Sequence, residues 1–600
     1  MLRAWVGKRR SVTCSRATAT TRTEDMTSSP RQRNSARWRG RHAYRSRWGN
    51  RGTRFPRLSA ISDRLFLWAA AWTVVIILAL VIGLYGHAWL SPRLTSLPQS
   101  LHISSAGPAA PPARICGNSA ILGRGPDVAP PRAVKVKAGD DSAVDWSRAD
   151  TTYWFAPGVH LLGAGQYTQI IPGRGSTYIG APGAIIDGKG YNNIAFGGDV
   201  PDVTIEYLTI ENFDPPGNQG AVNASVAPGW TIKYSTVRNI VPGTAIYAGT
   251  GNVLESNCLT DNGQSAFGTY TVHDTTPVTD GASNITINNN EISYNDTCNW
   301  EAVKNFPGPR PPRACAKAGE SSDCGCSAGG KFWETDGGQF DDNYVHDNYS
   351  VGIWWDTNNV GFDIRGNYIS GNYADGIIYE ISYNAQIENN TFVRNGLGAG
   401  EALPGFPTGA IFISESGSDQ RVPGSYSSSF LITGNTFTNN WGGVVLWENS
   451  NRFCNSPANT SSGVCTLVDP SSVTLKTCVA ADIRSKPYYG DCRWKTQNVL
   501  VRHNVFSFKP AQLGSACTVR NECGFQGLFS EYGTFPSWSP YQENAVPDHI
   551  TFDQDNHFSA NIYHGPWRFM VRDQGTVVDW QQWQATPYNQ DQGSTLNSVG

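Results

Sequence analysis

The chain has 600 residues, a formal net charge of −2, 63 glycines, 35 prolines and only 16% charged residues. The near-neutral total hides two opposite parts. Residues 1–64 hold 17 Lys and Arg against 3 Asp and Glu, a balance of +14, and the remainder holds 30 against 46, a balance of −16. The acidic remainder is not expected to bind nucleic acid, and its length suits either several domains or one long solenoid, in which each coil meets only its neighbours.

Residues 1–64 read as a basic, disordered cytoplasmic tail. The run from Arg31 to Arg57 suits anionic lipid or nucleic acid, or serves only to set topology. Residues Leu65 to Tyr85 follow, 21 positions without a charge. At about 1.5 Å per residue they match a hydrocarbon core of roughly 30 Å, so a transmembrane helix is expected over 65–90. The basic flank places the N-terminus in the cytoplasm and the bulk of the chain outside. A cleaved signal peptide fits less well, because the preceding region and the apolar core are both too long. Residues 91–130 are rich in Pro, Ala and Ser and read as a linker. Cys14 is alone before the span, while the other twelve cysteines lie beyond it, an even number suited to disulfides in an oxidising compartment. Cys298, Cys315, Cys324 and Cys326 suit loop disulfides better than a zinc site. Cys517 with Cys523, and pairs among Cys454, Cys465, Cys478 and Cys492, are expected to staple loops.

From residue 131 one short pattern recurs: Asn, any residue, an apolar residue, then often Asn three places on. It begins at Asn257, Asn290, Asn343, Asn367, Asn390, Asn435 and Asn504. The steps from Asn343 to Asn367 and on to Asn390 are 24 and 23 residues, one coil of a parallel β-helix. Each coil needs short apolar strands and sharp corners. Asn suits the corner because it tolerates left-handed backbone and bonds nearby backbone groups, and its stacked side chains are expected to form a ladder. Longer steps mark insertions at 297–330 and 451–496. The expected fold is all-β: a single right-handed parallel β-helix with Cys-rich insertions over 131–565, including an N-terminal cap, then a C-terminal cap over 566–600, all preceded by one transmembrane helix.

Four acids follow aromatic residues in similar company: Glu334, Asp356, Glu380 and Glu448, at steps of 22, 24 and 68 residues. Asp356, Glu380 and Glu448 each lie 13 residues after a repeat Asn, which predicts one column of carboxylates about 4.8 Å apart. Ser414 or Glu415 is expected beside it. Strand alternation then points the acids and Trp354 outward, and sends Ile353, Ile377, Val445, Trp355, Tyr379 and Trp447 inward. Carboxyls about 5–5.5 Å apart suit retaining glycoside hydrolysis, with Asp356 as nucleophile and Glu380 as acid/base. Glu334 with Glu380, two coils apart, would suit an inverting pair. Trp354, Glu334 and Glu448 are the expected substrate-binding residues. The bland alternative makes these acids corner caps on backbone N–H groups.

The stretches Gly352–Thr357 and Ile378–Asn384 resemble the paired motifs of a family of β-helical retaining β-xylosidases, within the pectate-lyase-like superfamily. The resemblance gives Asp356 the nucleophile role and Glu380 the acid/base role. Residues 152–160, 184–188 and 580–584 resemble a broader group of secreted β-helix proteins. No cofactor is required by this chemistry, although a column of carboxylates also suits Ca²⁺. Two rivals remain: a polysaccharide lyase or uronate epimerase, and a glycan-binding or adhesive β-helix without catalysis. Lys331, Lys304, Arg365 and His346 are candidate cations for the first rival, all expected outside the acid column. The overall expectation is a membrane-anchored, extracytoplasmic protein acting on a polysaccharide.

Overall fold

The computed structural model describes residues 110–600 apart from 270–280, 304–309, 316–326, 403–404, 423, 451, 453–491, 531–540, 542 and 599–600. The basic tail, the expected membrane span, the linker up to residue 109, Lys304, and Cys14, Cys324, Cys326, Cys454, Cys465 and Cys478 lie outside these residues. No helix among the described residues is long and apolar enough to cross a membrane.

The fold is a parallel β-helix. The described strands form three sheets of 13, 12 and 14 strands, and each coil gives one strand to each sheet. One coil shows the plan: Val253–Glu255 lies in the 13-stranded sheet, Cys258–Thr260 in the 14-stranded sheet and Phe267–Thr269 in the 12-stranded sheet. All pairings between coils are parallel, and Val577–Val578 alone pairs antiparallel, with Arg568–Asp573. Alternation along each strand sends one apolar face into the tube between the sheets. There Phe392, Phe437, Phe506 and Tyr563 stack with centroids 4.5–4.9 Å apart.

Two rows of asparagine run along the tube. Asn257, Asn290, Asn343, Asn367, Asn390, Asn435, Asn504 and Asn561 form the first. Each Oδ1 after the first accepts the backbone N–H of the row member one coil earlier, at 2.8–3.0 Å. Asn262, Asn295, Asn348, Asn372, Asn395 and Asn440 repeat this at the next corner, at 2.8–3.3 Å. The expected ladder is therefore present twice. The left-handed residue at these corners is the one before the ladder Asn, as at Ser256, Asp342, Gly366 and Asn389. The ladder Asn itself is used for its amide, which satisfies backbone groups that water does not reach.

Residues 110–118 lie across the 14-stranded sheet. Cys116 is disulfide-bonded to Cys258, and the backbone N–H groups of Ile115 and Cys116 donate to the buried carboxylate of Glu291. Cys298–Cys315 and Cys517–Cys523 are bonded, as expected for loop staples. At the far end, Asp579 caps the short helix Trp580–Gln584. Buried Trp583 of that helix stacks on Phe569 at 4.8 Å, covering the last coil as terminal caps of solenoids must.

Asn367→Ala removes the acceptor of the Asn343 N–H and the donor to the Phe340 carbonyl. Both groups are then buried without a partner, and the expected loss is about 2–4 kcal/mol of stability. Denaturant unfolding followed by tryptophan fluorescence measures it, and a loss under about 1 kcal/mol would show that the ladder is not holding the coils.

Candidate functional site

The site lies on the outer face of the 12-stranded sheet. Six consecutive strands build it: β1 (Ala328–Trp333), β2 (Val351–Asp356), β3 (Ile377–Glu380), β4 (Ile411–Ser414), β5 (Val444–Glu448) and β6 (Phe525–Ser530). Phe332, Trp355, Tyr379, Ile413, Leu446 and Leu528 are in register across them and belong to the core. The residues on either side of this row therefore face outward. One outward row is Lys331, Trp354, Ile378, Phe412 and Val445. The other runs Trp333–Asp356 and Glu380–Ser414–Trp447, and Asp356 and Glu380 meet as the next pair after Trp355 and Tyr379.

A third ladder fixes this second row. Thr335, Asn359, Ser382, Ser416 and Thr496 each turn a side chain back onto the carbonyl of Trp333, Asp356, Glu380, Ser414 and Trp447 respectively, at 2.6–3.0 Å. The same side chains also link neighbouring coils: Thr335 to Asn359, Asn359 to Ser382, and Ser382 to Ser416. Asp356 and Glu380 are therefore held at the backbone on adjacent strands.

The single column of four acids is corrected. Only Asp356 and Glu380 share a row. Glu334, with φ +46°, lies one place past Trp333, and its N–H donates to the Thr357 carbonyl at 2.9 Å. Glu415, also at φ +46°, lies one place past Ser414. Glu448 aligns with Ser530, one place past Trp447. The cause of the last slip is local. Asn372 precedes the in-register Ile377 by five residues, but Asn440 precedes Val444 by four. A one-residue change exchanges the two faces of a strand. Hence Val444 and Leu446 enter the core, while Val445 and Trp447, expected inside, join Phe412, Phe406 and Phe529 in an outer aromatic cluster.

The acids are not alone. Lys331 Nζ lies 2.9 Å from Asp356 Oδ2, and the Thr357 hydroxyl donates to Asp356 Oδ1 at 2.9 Å. Lys331 lies outside the row of acids, in the row of Trp354, and its ammonium reaches across to Asp356. Its ammonium also sits 4.3 Å from the Trp354 ring centroid, so one face of that indole is occupied by a cation. The Trp354 Nε1–H donates to Glu380 Oε2 at 3.1 Å. Arg452 Nη1 donates to Glu380 Oε1 and, at 2.7 Å, to Glu415 Oε2. Glu415, fully buried, also accepts from the Ser414 hydroxyl and the Asn449 N–H. Glu448, also fully buried, pairs with Arg493 and accepts from Gln554 Nε2 at 2.7 Å. His346 and Arg365 are on the other two sheets, paired with Glu291 and Asp363.

Asp356, Glu380, Glu415 and Glu448 face Lys331, Arg452 and Arg493. Carboxyls gathered this closely and buried favour proton uptake by one of their number. Glu380 is the one with raised proton affinity. Burial raises its pKa first, and the charges of Asp356 and Glu415 add to this, against the opposing pull of Arg452. Asp356 is thus paired with an ammonium, while Glu380, despite Arg452, has raised proton affinity. Among the described residues no group of three or more His, Cys, Asp or Glu side chains is arranged to hold a metal ion.

Residues 220–424 match the family described as the right handed beta helix region. No curated protein matches the sequence. Solved structures that it resembles include the A-module of a mannuronan C-5 epimerase from Azotobacter vinelandii, at 15% identity over 53% of this chain and 83% of that one, with a TM-score of 0.30. An alginate lyase in complex with a trisaccharide matches at 12% identity over 79% and 87%, with a TM-score of 0.32. The catalytic domain of an alpha-1,3-glucanase in complex with tetrasaccharides matches at 11% over 53% and 59%, with a TM-score of 0.30.

The raised proton affinity of Glu380 has a sign that stability measurements can read. A group whose folded-state pKa is above its unfolded value contributes stability below the unfolded pKa, and that contribution is lost as pH rises through the folded one. Glu380→Gln cannot titrate, so its stability is expected to improve relative to the parent chain as pH rises from about 4. Thermal melts of both proteins across pH test this, and parallel stability curves would contradict the raised affinity.

Proposed function

We propose that this protein is a retaining glycoside hydrolase, anchored in a membrane and acting outside the cytoplasm on a neutral or weakly charged polysaccharide. The observation that carries the reading is the placement of Asp356 and Glu380 on adjacent strands, facing outward, with Asp356 paired to Lys331 and Glu380 shared between Arg452 and the Trp354 indole. Strand spacing of about 4.8 Å suits the separation of about 5–5.5 Å needed for a covalent, retaining mechanism. Asp356 attacks the anomeric carbon while Glu380 gives its proton to the departing glycosidic oxygen. The resulting glycosyl ester on Asp356 is then hydrolysed by a water whose proton returns to Glu380. Trp354 orients Glu380 through its indole N–H, and Lys331 orients Asp356.

The uncharged stretch from Leu65 to Tyr85 and the basic residues before it support the anchor. The disulfides Cys116–Cys258, Cys298–Cys315 and Cys517–Cys523 support an oxidising compartment for the β-helix.

One observation favours a second reading. Lys331 and Arg452 stand among the acids, and cations of this kind neutralise a uronate carboxylate during proton abstraction by a polysaccharide lyase or epimerase. The two readings give different products from a panel of neutral and uronate polysaccharides. The hydrolase gives new reducing ends with retained anomeric configuration, visible by proton NMR. The lyase gives an unsaturated uronate that absorbs in the ultraviolet. Asp356→Asn and Glu380→Gln are each expected to lower hydrolysis by about 10²–10⁴-fold with folding intact. The Glu380→Gln loss is expected to be smaller on aryl glycosides whose leaving group needs no proton. Undiminished turnover in both variants would refute the assignment.

A further inference from the structure

Arg452 is the cation that sequence periodicity does not announce, and its position is unusual. It follows β5 by four residues, and its N–H donates to the Asn449 carbonyl at 2.9 Å. The same turn sends the Asn449 N–H to Glu415 Oε1. The Arg452 side chain is only 5% exposed. One of its nitrogens, Nη1, contacts both Glu380 on β3 and Glu415 just after β4. Of these two carboxylates, Glu415 has other donors in the Ser414 hydroxyl and the Asn449 N–H. Glu380 has only the Trp354 indole besides Arg452 among its hydrogen bonds in the described structure. The guanidinium is thus a clip between a carboxylate that is fixed on its own account and one that depends on the clip.

We propose that Arg452 is a positioning residue for Glu380: its guanidinium, anchored by Glu415, fixes the orientation of the Glu380 carboxyl and governs when that carboxyl takes up a proton. The inference deepens the hydrolase reading and rests on Glu380 as its proton donor. The charged groups facing Glu380 come from every neighbouring element. Asp356 on β2 is paired to Lys331 on β1, Glu415 follows β4, and Arg452 follows β5. Asp356 and Glu415 favour a proton on Glu380, and Arg452 opposes it. Removing the guanidinium takes away a charge that opposes protonation and leaves Asp356 and Glu415, which favour it.

The test reads Glu380 directly, without a substrate. The full chain is labelled with a carbodiimide and an amine across a pH series, and modification of Glu380 is quantified by peptide mass spectrometry against exposed carboxyls of the same chain. Arg452→Met is expected to move the midpoint of Glu380 protonation upward by about 1 pH unit or more, and Arg452→Lys to restore most of the parent value. An unchanged midpoint in folded Arg452→Met overturns the proposal. If that variant fails to fold because buried Glu415 loses its counter-charge, the double variant Arg452→Met with Glu415→Gln replaces it. A smaller upward shift is expected there, and no shift again overturns the proposal. Where a substrate is found, the acid limb of the kcat/KM profile is expected to move with the labelling midpoint. A labelling shift without turnover of any glycan by the parent chain would reject the hydrolase reading and leave the role of Arg452 intact.

Discussion

The buried asparagine amide is the interaction on which this structure depends. A side chain with two donors and an acceptor, no more than 2% exposed at any position of the two rows, must find partners or destabilise the fold by about 1–3 kcal/mol for each group left unmet. Here the partners are the Asn at the same height in the neighbouring coil and a strand carbonyl, with Ser235 and Ser594 taking that place beyond Asn257 and Asn561. The ladder therefore selects one register out of many for chains whose strands are short, apolar and otherwise interchangeable. A step as long as the 69 residues from Asn435 to Asn504 leaves the corner intact, because the Asn504 Oδ1 still meets the Asn435 N–H at 2.9 Å.

The third corner carries the same logic with smaller side chains. Thr335, Asn359, Ser382 and Ser416 pin the coils and at the same time take the carbonyls of the residues that face outward. Rigid backbone beneath a site lets side chains be placed to within a fraction of an ångström, which is what paired-carboxyl chemistry requires. Glu334 and Glu415 lie just beyond the site strands, at left-handed backbone. The corner thus divides the acids into those presented to the outer groove and those near the turn. Glu415 is held there by Ser414, Asn449 and Arg452.

This division explains what the sequence discloses. The coil period is legible because the ladder demands Asn at a fixed place in each coil. The pairing of Asp356 with Glu380 is legible because both coils keep the same distance from their Asn. Glu448 keeps the same distance too, yet it is displaced, since one residue removed from the turn before β5 is balanced by nothing a residue count can see. Lys331 was visible in principle, because it lies two places before Trp333 in a strand whose alternate residues face outward. Arg452 was not, because an insertion residue belongs to no period. The pairing of Cys116 with Cys258, 142 residues apart, is equally silent, since it depends on where an aperiodic segment crosses the finished sheet.

The charges then follow from burial. Carboxylates on adjacent strands raise one another's proton affinity, and burial adds to this. Here Asp356, Glu380, Glu415 and Glu448 each have a cationic partner. Burial and the charges of Asp356 and Glu415 raise the proton affinity of Glu380, and Arg452 pulls against them. Asp356 has an ammonium to itself. The asymmetry between two chemically similar side chains thus arises from neighbours supplied by different coils, and the repetitive scaffold that makes all coils alike is what brings those unlike neighbours to one spot.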